Sequence, residues 1–309
     1  MKGLELSRKF YEQYGAPMLK NEFAEIEKHL AVGLVGSGSE CLGYDDQTSQ
    51  DHDFEAGFCI FLPDEVDERT EFLLERAYSR LPEEFMGCKR AKLNPVGGNR
   101  HGVLRISKFL KSKIGNENGQ LSANDFFFIE EQFLLEVTNG EIFCDNLGLL
   151  TEVRRRLSYL PEDVRLKKLA GNLVLMAQSG QYNYPRCIKR GDTAAAQLSV
   201  CEFVNSALKT VYLINKKYMP YYKWAFRGLR EMPVLSELYD SLEYLISSPN
   251  TEPQKKQEII ESVCKAVADE LLAQGLTKLL TAELEPTAYS VNDRIKDPEI
   301  RNLSVLYGV

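Results

Sequence analysis

The spacing of hydrophobic residues changes near the middle of this chain. Before residue 150, short apolar runs such as 31–35 and 58–62 lie between polar turns, a pattern typical of strands. After Gly148, hydrophobic residues recur every three or four positions over long stretches, as they do in amphipathic helices. The pattern predicts the α+β class, with strands and helices over residues 1–150 and an all-α domain over residues 151–309.

Helices and strands are expected to alternate in the first domain. The first thirty residues predict a helix, which precedes the apolar run of the first strand. A second strand is expected over residues 51–62, with Pro63 and Asp64 ending it and capping the next helix. The apolar positions of these two helices are Leu19, Phe23, Ile26 and Leu30 in the first, and Val66, Phe72, Leu73 and Ala77 in the second.

The end of the first domain is expected to be a hairpin. Residues 133–138 alternate between the two faces of a strand, Asn139-Gly140 is typical of a tight turn, and residues 141–145 return as a strand. Between the second helix and this hairpin, the Gly- and Pro-rich segment 82–104 predicts a loop with one short strand. Its basic residues form either a solvated loop or a platform for phosphates, and they are Lys89, Arg90, Lys92, Arg100 and Arg105.

Five long segments of the second half carry helical periodicity. Their apolar stripes predict antiparallel helices that pack as a bundle. One stripe contains Leu198, Cys201, Val204, Ala207, Leu208 and Val211, and another contains Ile259, Val263, Ala266, Val267 and Leu271. The expected helices span residues 151–160, 163–180, 193–218, 234–247 and 253–274.

Composition narrows the class of protein. With 44% hydrophobic and 27% charged residues, the 309-residue chain has the make-up of an ordinary globular protein. The net charge of −7 argues against a protein that coats nucleic acid, and no apolar stretch is long enough to span a membrane. Seven scattered cysteines without a C-x-x-C pair, and three histidines, favour a cytoplasmic protein with no zinc site.

The most informative polar residues flank the first two strands. Gly36-Ser37-Gly38-Ser39 follows the first strand, and Asp51-His52-Asp53 opens the second. Glycines let backbone N–H groups approach an anion, and serine hydroxyls add donors. Residues two apart on a strand share a face, so Asp51 and Asp53 are expected to bind Mg²⁺ or Mn²⁺ together. His52 is then expected to point to the opposite face.

A third carboxylate would complete such a metal site. Glu136 is the first candidate, because a charged residue within an apolar strand is costly unless a metal or hydrogen bonds compensate it. An exposed position on an edge strand would explain the same spacing. Glu55, Glu131 and Glu141 are the other candidates.

Several stretches resemble a known group of enzymes. Gly36-Ser37…Asp51-His52-Asp53 resembles the signature of the nucleotidyltransferase fold of DNA polymerase beta and kanamycin nucleotidyltransferase. More of the chain resembles an uncharacterised bacterial family of predicted nucleotidyltransferases, in the stretches GSGSECLGYDDQTSQDHDFEAGF, LLEVTNGEIFCDNLG, KKYMPYYKWAFRGL and IKDPEIR. The resemblance implies a nucleotidyltransferase-fold mixed sheet with flanking helices, then a helical-bundle domain. It also implies that Asp51 and Asp53 bind metal and that Ser37 reaches a nucleoside triphosphate.

The helical half offers two further groups of candidate residues. Lys223 lies in an aromatic cluster with Tyr218, Tyr221, Tyr222 and Trp224, which either stacks on a nucleobase or packs as core. Arg190 belongs to a charged group with Arg186, Lys189 and Asp192, which either binds the triphosphate or forms an exposed turn held by salt bridges.

These features predict an enzyme, a metal-dependent nucleotidyltransferase that moves a nucleoside monophosphate from a triphosphate to an acceptor and releases pyrophosphate. Residues 1–150 would form the catalytic domain and residues 151–309 the substrate-binding domain. The acceptor is unknown, and a small molecule is favoured over nucleic acid. Two alternatives stay open: a non-catalytic nucleotide-binding sensor or partner protein, and a toxin-like transferase acting on a protein or tRNA.

Overall fold

The protein divides into two compact units. The structure, a computed structural model, describes residues 1–48, 55–90 and 100–309. The first unit comprises residues 1–121 and 132–158, and the second comprises residues 122–131 and 159–309. The first unit contains a small mixed sheet and the second is helical over the described residues, so the predicted α+β class is confirmed. In the described part of the chain, no helix is both long and apolar enough to cross a membrane.

Four strands form the main sheet of the first unit, in the order β5-β2-β1-β6. β1 pairs antiparallel with β2 and β6, and β2 pairs parallel with β5. A separate two-stranded hairpin joins β3 and β4. The strands are β1 (Ala31–Leu34), β2 (Cys59–Leu62), β3 (Glu84–Phe85), β4 (Cys88–Lys89), β5 (Gly102–Arg105) and β6 (Glu141–Asp145).

The register of the main sheet brings four chain segments to one edge. Gly33 of β1 pairs with Cys59 of β2, and Cys59 pairs with Gly102 of β5. On the other side of β1, Leu34 pairs with Glu141. The segment that leaves β1 therefore lies beside the segments that enter β2, β5 and β6. We refer to this side as the site edge of the sheet.

The described helices surround this sheet in the first unit and make up the second unit. In chain order they are α1 (Gly3–Phe10), α2 (Ala16–Glu22), α3 (Glu68–Ser79), α4 (Ile106–Ile114), α5 (Ala123–Phe128), α6 (Glu131–Thr138), α7 (Leu149–Arg156), α8 (Glu162–Met176), α9 (Tyr184–Lys189), α10 (Thr193–Ile214), α11 (Tyr222–Leu229), α12 (Tyr239–Ser247), α13 (Pro253–Ala273), α14 (Leu284–Asn292) and α15 (Pro298–Asn302).

The first two helices form one continuous helical segment through a π-helical turn over Tyr11–Gly15. The segment ends at Glu22, because Phe23 leaves the helical conformation with φ −135°. The predicted helix is thus confirmed over most of its length, whereas Ile26 lies beyond its end. Its buried Phe10 packs against Phe58, just before β2, with ring centroids 5.8 Å apart.

The predicted cap of α3 and two of its predicted inward positions are wrong, whereas Ala77 is buried as predicted. The N-cap of α3 is Asp67, whose side chain accepts the Thr70 N–H, rather than Asp64. The buried positions are Leu74, Ala77 and Tyr78, while Phe72 and Leu73 are exposed.

The predicted hairpin is wrong in its first half. Residues 131–138 form the helix α6, whose fully buried residues Leu134 and Val137 are three positions apart. The Asn139 N–H continues the helical pattern by donating to the carbonyl of Leu135. Gly140 then turns the chain with φ +63°, and β6 follows as predicted.

The long helices of the second half are confirmed as α7, α8, α10, α12 and α13. The stripe expected on α10 is partly wrong, because Leu198 is 72% exposed and Val200 and Phe203 are buried instead. The sequence analysis missed the helices α4, α5, α9, α11, α14 and α15, each of nine residues or fewer.

Candidate functional site

Residues 36–39 form a turn at the site edge, directly after β1. Gly36 and Gly38 have φ values of +110° and +138°, which side chains with a Cβ rarely adopt. Gly36 is buried, whereas Ser37 is exposed and Ser39 is half-buried. The two glycines therefore shape a turn that presents the Ser37 side chain outward. We refer to these residues as the 36–39 turn.

Asn139 holds the 36–39 turn from the side of β6. The side-chain oxygen of Asn139 accepts the Gly36 N–H at 2.9 Å, and its amide nitrogen donates to the Gly36 carbonyl at 2.8 Å. Next to it, the Gly140 N–H donates to the carbonyl of Cys41 at 2.9 Å. A single amide side chain thus satisfies both backbone groups of Gly36, which fixes the start of the turn.

Arg100 holds the turn from the side of β5. Its guanidinium donates to the Ser37 carbonyl at 2.9 Å and forms an ion pair with Glu40, which is 8% exposed. A Cβ at Gly38 would overlap the Arg100 guanidinium and the Glu40 carboxylate, whereas a Cβ at Gly36 would have no atom within 4 Å. Gly38 is therefore required by close packing as well as by its backbone conformation.

A second buried pair lies where β2 and β5 begin. His101 Nδ1 lies 2.6 Å from Glu55 Oε1, and both side chains are largely buried. Gly57 passes so close that a Cβ there would overlap the His101 ring. Glu55, one of the alternative third acids, is thus paired with an imidazole at the site edge.

Glu136 lies on α6 rather than on a strand, which corrects the sequence analysis. Its Oε2 lies 2.5 Å from Lys113 Nζ, and both side chains are about one-fifth exposed. Burial raises the pKa of the Cys41 thiol, and the nearby carboxylates of Glu40 and Glu136 add to that rise. Glu136 therefore lies near the segment that follows the 36–39 turn, and Lys113 balances its charge.

The other two candidate acids are already paired. Glu141 forms an ion pair with Arg8 in the first unit. Glu131 lies in the second unit, where it accepts the Met219 N–H at 3.2 Å and lies 3.7 Å from Lys168 Nζ. Each of these two acids thus has a cationic partner within its own unit.

Three of the five basic residues expected to form a solvated loop or a phosphate platform have partners within the first unit, whereas Lys89 is exposed. Arg90 lies over the Phe10 and Tyr78 rings, and Arg105 pairs with Glu71. Together with the Arg100–Glu40 pair, these contacts show that three of the five cations stabilise the first unit. Lys92 lies outside the described residues.

Asp51, His52 and Asp53 also lie outside the described residues, so their predicted roles stay predictions. Within the described ranges, no group of three or more His, Cys, Asp or Glu side chains is placed to bind a metal ion.

The second unit contains the two remaining candidates, Arg190 and Lys223. Arg190 is exposed at the end of α9. Lys223 is exposed on α11, with its Nζ 5.1 Å from the centroid of the Trp224 ring. The aromatic cluster is divided, since Tyr218 is 5% exposed and Tyr222 is 72% exposed. Whether either cation binds a ligand stays a prediction.

The sequence analysis missed the residues that hold the turn in place. It assigns Asn139 only to a tight turn, Arg100 to a solvated loop or a phosphate platform, and Glu40 to no role. Their partners lie far away in sequence, for example 103 residues between Gly36 and Asn139. The one available signal was the fold prediction itself, because a strand after Asn139 that pairs with β1 would bring Asn139 to the end of β1.

Comparisons with known proteins give limited information. Residues 126–225 match the model of a family described as a domain of unknown function, DUF4037. No curated protein matches the chain. The chain is similar to the 1.90 Å crystal structure of a nucleotidyltransferase-like protein from Exiguobacterium sibiricum 255-15, with 11% identity and a TM-score of 0.35 over 93% of this chain and 88% of that chain. This similarity is too low to assign a fold or an activity.

Proposed function

We propose that this protein is a metal-dependent nucleotidyltransferase whose first unit has the nucleotidyltransferase fold. The observation that carries the proposal is the 36–39 turn. It follows a central strand of a mixed sheet, its backbone is held from both sides by Asn139 and Arg100, and it presents Ser37 outward. A fixed turn of this kind suits a triphosphate, because its N–H groups and hydroxyls need not rearrange when the anion binds.

The proposed metal ligands are Asp51 and Asp53. In the sequence, Asp53 precedes Glu55, which lies at the site edge, by two residues. The described acids nearby, Glu40 and Glu55, already have partners of their own. Carboxylates are the ligands that Mg²⁺ and Mn²⁺ prefer, and two aspartates would fit either ion. When bound, the metal would neutralise charge on the phosphoryl oxygens.

Glu136 remains the proposed third acid. Its carboxylate is held in place by Lys113 and lies near the Cys41 segment, beyond the 36–39 turn. To coordinate the metal, the Glu136 carboxylate would have to bind the metal and Lys113 at the same time. The catalytic role of Glu136 is therefore the part of the proposal that a mutational test can most easily refute.

The proposed reaction is an in-line displacement at the α-phosphorus. An acceptor oxygen or nitrogen forms a bond to that phosphorus, and the bond to the bridging oxygen breaks. Pyrophosphate leaves with the electron pair, and the acceptor's proton passes to a base. Gly36, Ser37, Gly38 and Ser39 would hold the triphosphate, whose phosphates carry the charge that needs stabilising.

The second unit is proposed to bind substrate through Arg190 and Lys223. Both cations are exposed, and the positive charge of Lys223 lies beside the aromatic ring of Trp224. The net charge of −7 favours a small-molecule acceptor over nucleic acid. All seven cysteines are free thiols, which favours a reducing compartment such as the cytoplasm.

Pyrophosphate release tests the proposal. The purified protein is incubated with each of the four ribonucleoside triphosphates, Mg²⁺ and a panel of small hydroxyl and amine acceptors. We expect release with at least one pair, and a loss of at least about 100-fold in Asp51→Asn and Asp53→Asn. Asp293→Asn, at an exposed position, is the matched control and should retain activity.

Other outcomes would favour the alternatives. Tight triphosphate binding without turnover across the panel would indicate a nucleotide-binding sensor. Growth arrest on expression that disappears in Asp53→Asn, together with labelling of a protein or tRNA, would indicate a toxin-like transferase. Unchanged turnover in both aspartate variants would refute the proposed metal site.

A further inference from the structure

Arg154, near the end of α7, is a half-buried cation that forms no ion pair with any described carboxylate. One guanidinium nitrogen, Nη2, donates to the carbonyls of Thr138 and Asn139 at 2.9 and 2.7 Å. The other, Nη1, is buried and has no hydrogen-bond partner. Among the described residues, no carboxylate lies within ion-pair distance of Arg154. Burial lowers the pKa of Arg154, and the charge of the more distant Asp145 offsets only part of that effect.

Several other buried or half-buried arginines of the described residues have clear partners, although half-buried Arg301 donates only to the Ile295 carbonyl, at 3.4 Å. Arg100, Arg105 and Arg165 pair with Glu40, Glu71 and Glu162 respectively. Arg90 donates to three backbone carbonyls and lies over two aromatic rings. The buried ammonium groups of Lys167 and Lys256 bind only carbonyl and amide oxygens, so a counter-charge is not required at every buried cation. Because a buried polar group is costly unless it is hydrogen-bonded, the unpartnered Nη1 of Arg154 still requires an explanation.

The position of Arg154 supplies one. It binds the carbonyl of Asn139, and the side chain of Asn139 binds both backbone groups of Gly36. Asn139 therefore links Arg154, through hydrogen bonds, to the turn that is proposed to hold the triphosphate. In a poorly solvated position a charge acts on an anion several ångströms away with much less screening than in water.

We infer that Arg154 is a positioning residue that supplies the fixed positive charge behind the 36–39 turn, and that an anionic phosphate chain bound at the turn is its counter-charge. Arg154 holds Asn139, and through it Gly36, without touching the ligand itself. This inference rests on the proposed function, since it takes the triphosphate site to be the 36–39 turn.

A purely structural role would explain part of the geometry. Thr138 and Asn139 lie at the carboxyl end of α6, where a cation stabilises the last carbonyls and the helix dipole. That role accounts for the two bonds of Nη2. It leaves the buried Nη1 without a partner, and it predicts no effect of Arg154 on ligand affinity.

The two roles are separated by calorimetric titration of Mg²⁺ and the triphosphate that binds best to the wild type. We expect Arg154→Gln, which removes the charge, to weaken affinity at least about tenfold. Arg154→Lys keeps the charge and should stay within about threefold of the wild type. Arg155→Gln, at an exposed neighbour paired with Glu152, is the control and should leave affinity unchanged.

Each contrary outcome has a distinct meaning. If Arg154→Gln binds like the wild type, the inference is wrong while the proposed function stands. If Gln and Lys variants lose affinity equally and in step with their melting temperatures, Arg154 only caps α6 and the inference is again wrong. If the wild type binds none of the four triphosphates, the proposed function and the inference are both wrong.

Discussion

At the residue scale, Gly36 and Gly38 have different reasons to be glycine. Both have positive φ, so a Cβ would strain the backbone at either position. Only at Gly38 would the Cβ also overlap other atoms, those of the Arg100 guanidinium and the Glu40 carboxylate. The Arg100–Glu40 pair is thus packed against the backbone of the turn, and the shape of the turn depends on it.

A matched pair of substitutions tests this difference. Gly36→Ala and Gly38→Ala share the backbone strain, which costs about 1–2 kcal/mol. We expect Gly38→Ala to lower the free energy of unfolding by a further 1–3 kcal/mol or so, because the new methyl group displaces Arg100 from the Ser37 carbonyl. Chemical denaturation measures both values, and equal losses in the two variants would contradict the packing at Gly38.

A residue of the site could be predicted from the sequence where its role depends on residues next to it in the chain. The Gly-Ser turn could be placed after β1 because an apolar run, two glycines and two serines are contiguous. Asn139 and Arg100 could not be assigned, because their function lies in partners 103 and 63 residues away. Only the pairing of β1 with β6 and of β2 with β5 creates those contacts.

At the scale of elements, α6 shows why the secondary structure of a short segment is hard to predict from its sequence. Five of its eight residues are apolar or β-branched, and over so few positions a period of two and a period of 3.6 are hard to separate. The Asn139-Gly140 turn then favoured a hairpin, although the same residues end a helix equally well. The long helices α10 and α13 were predictable because they repeat the period many times.

Two leucines test the helical assignment of α6. Leu134 is fully buried and Leu135 is half-buried. We expect Leu134→Ala to lower the free energy of unfolding by about 2–5 kcal/mol, and Leu135→Ala to cost clearly less, because a larger cavity forms where burial is complete. Thermal or chemical denaturation gives both values. A larger loss for Leu135→Ala would contradict the helix and favour the strand.

At the scale of the whole molecule, buried thiols lie in both units. Burial raises the pKa of the Cys59 thiol to about 12, and it raises the pKa of Cys41 in the first unit and Cys264 in the second as well. In the unfolded chain a thiol loses its proton near pH 8.5. Above that pH the unfolded state binds fewer protons than the folded state.

The free energy of unfolding should therefore fall as the pH rises from about 8.5 toward 12, by up to about 1.4 kcal/mol per pH unit for each such thiol. Below about pH 8.5 both states keep these protons, and the thiols add no slope. Cys59→Ala should make the alkaline decline shallower, as measured by urea denaturation at a series of pH values. Parallel declines in the variant and the wild type would contradict a raised pKa at Cys59.

The central claim concerns the whole molecule, namely that it transfers a nucleotidyl group. The most direct measurement uses one triphosphate labelled at the α-phosphate or at the γ-phosphate, with Mg²⁺ and the acceptor panel. We expect the α label to appear on an acceptor and the γ label only in pyrophosphate, with both signals lost in Asp53→Asn. Transfer of the γ label to an acceptor, or α-label transfer that persists in Asp53→Asn, would contradict the account.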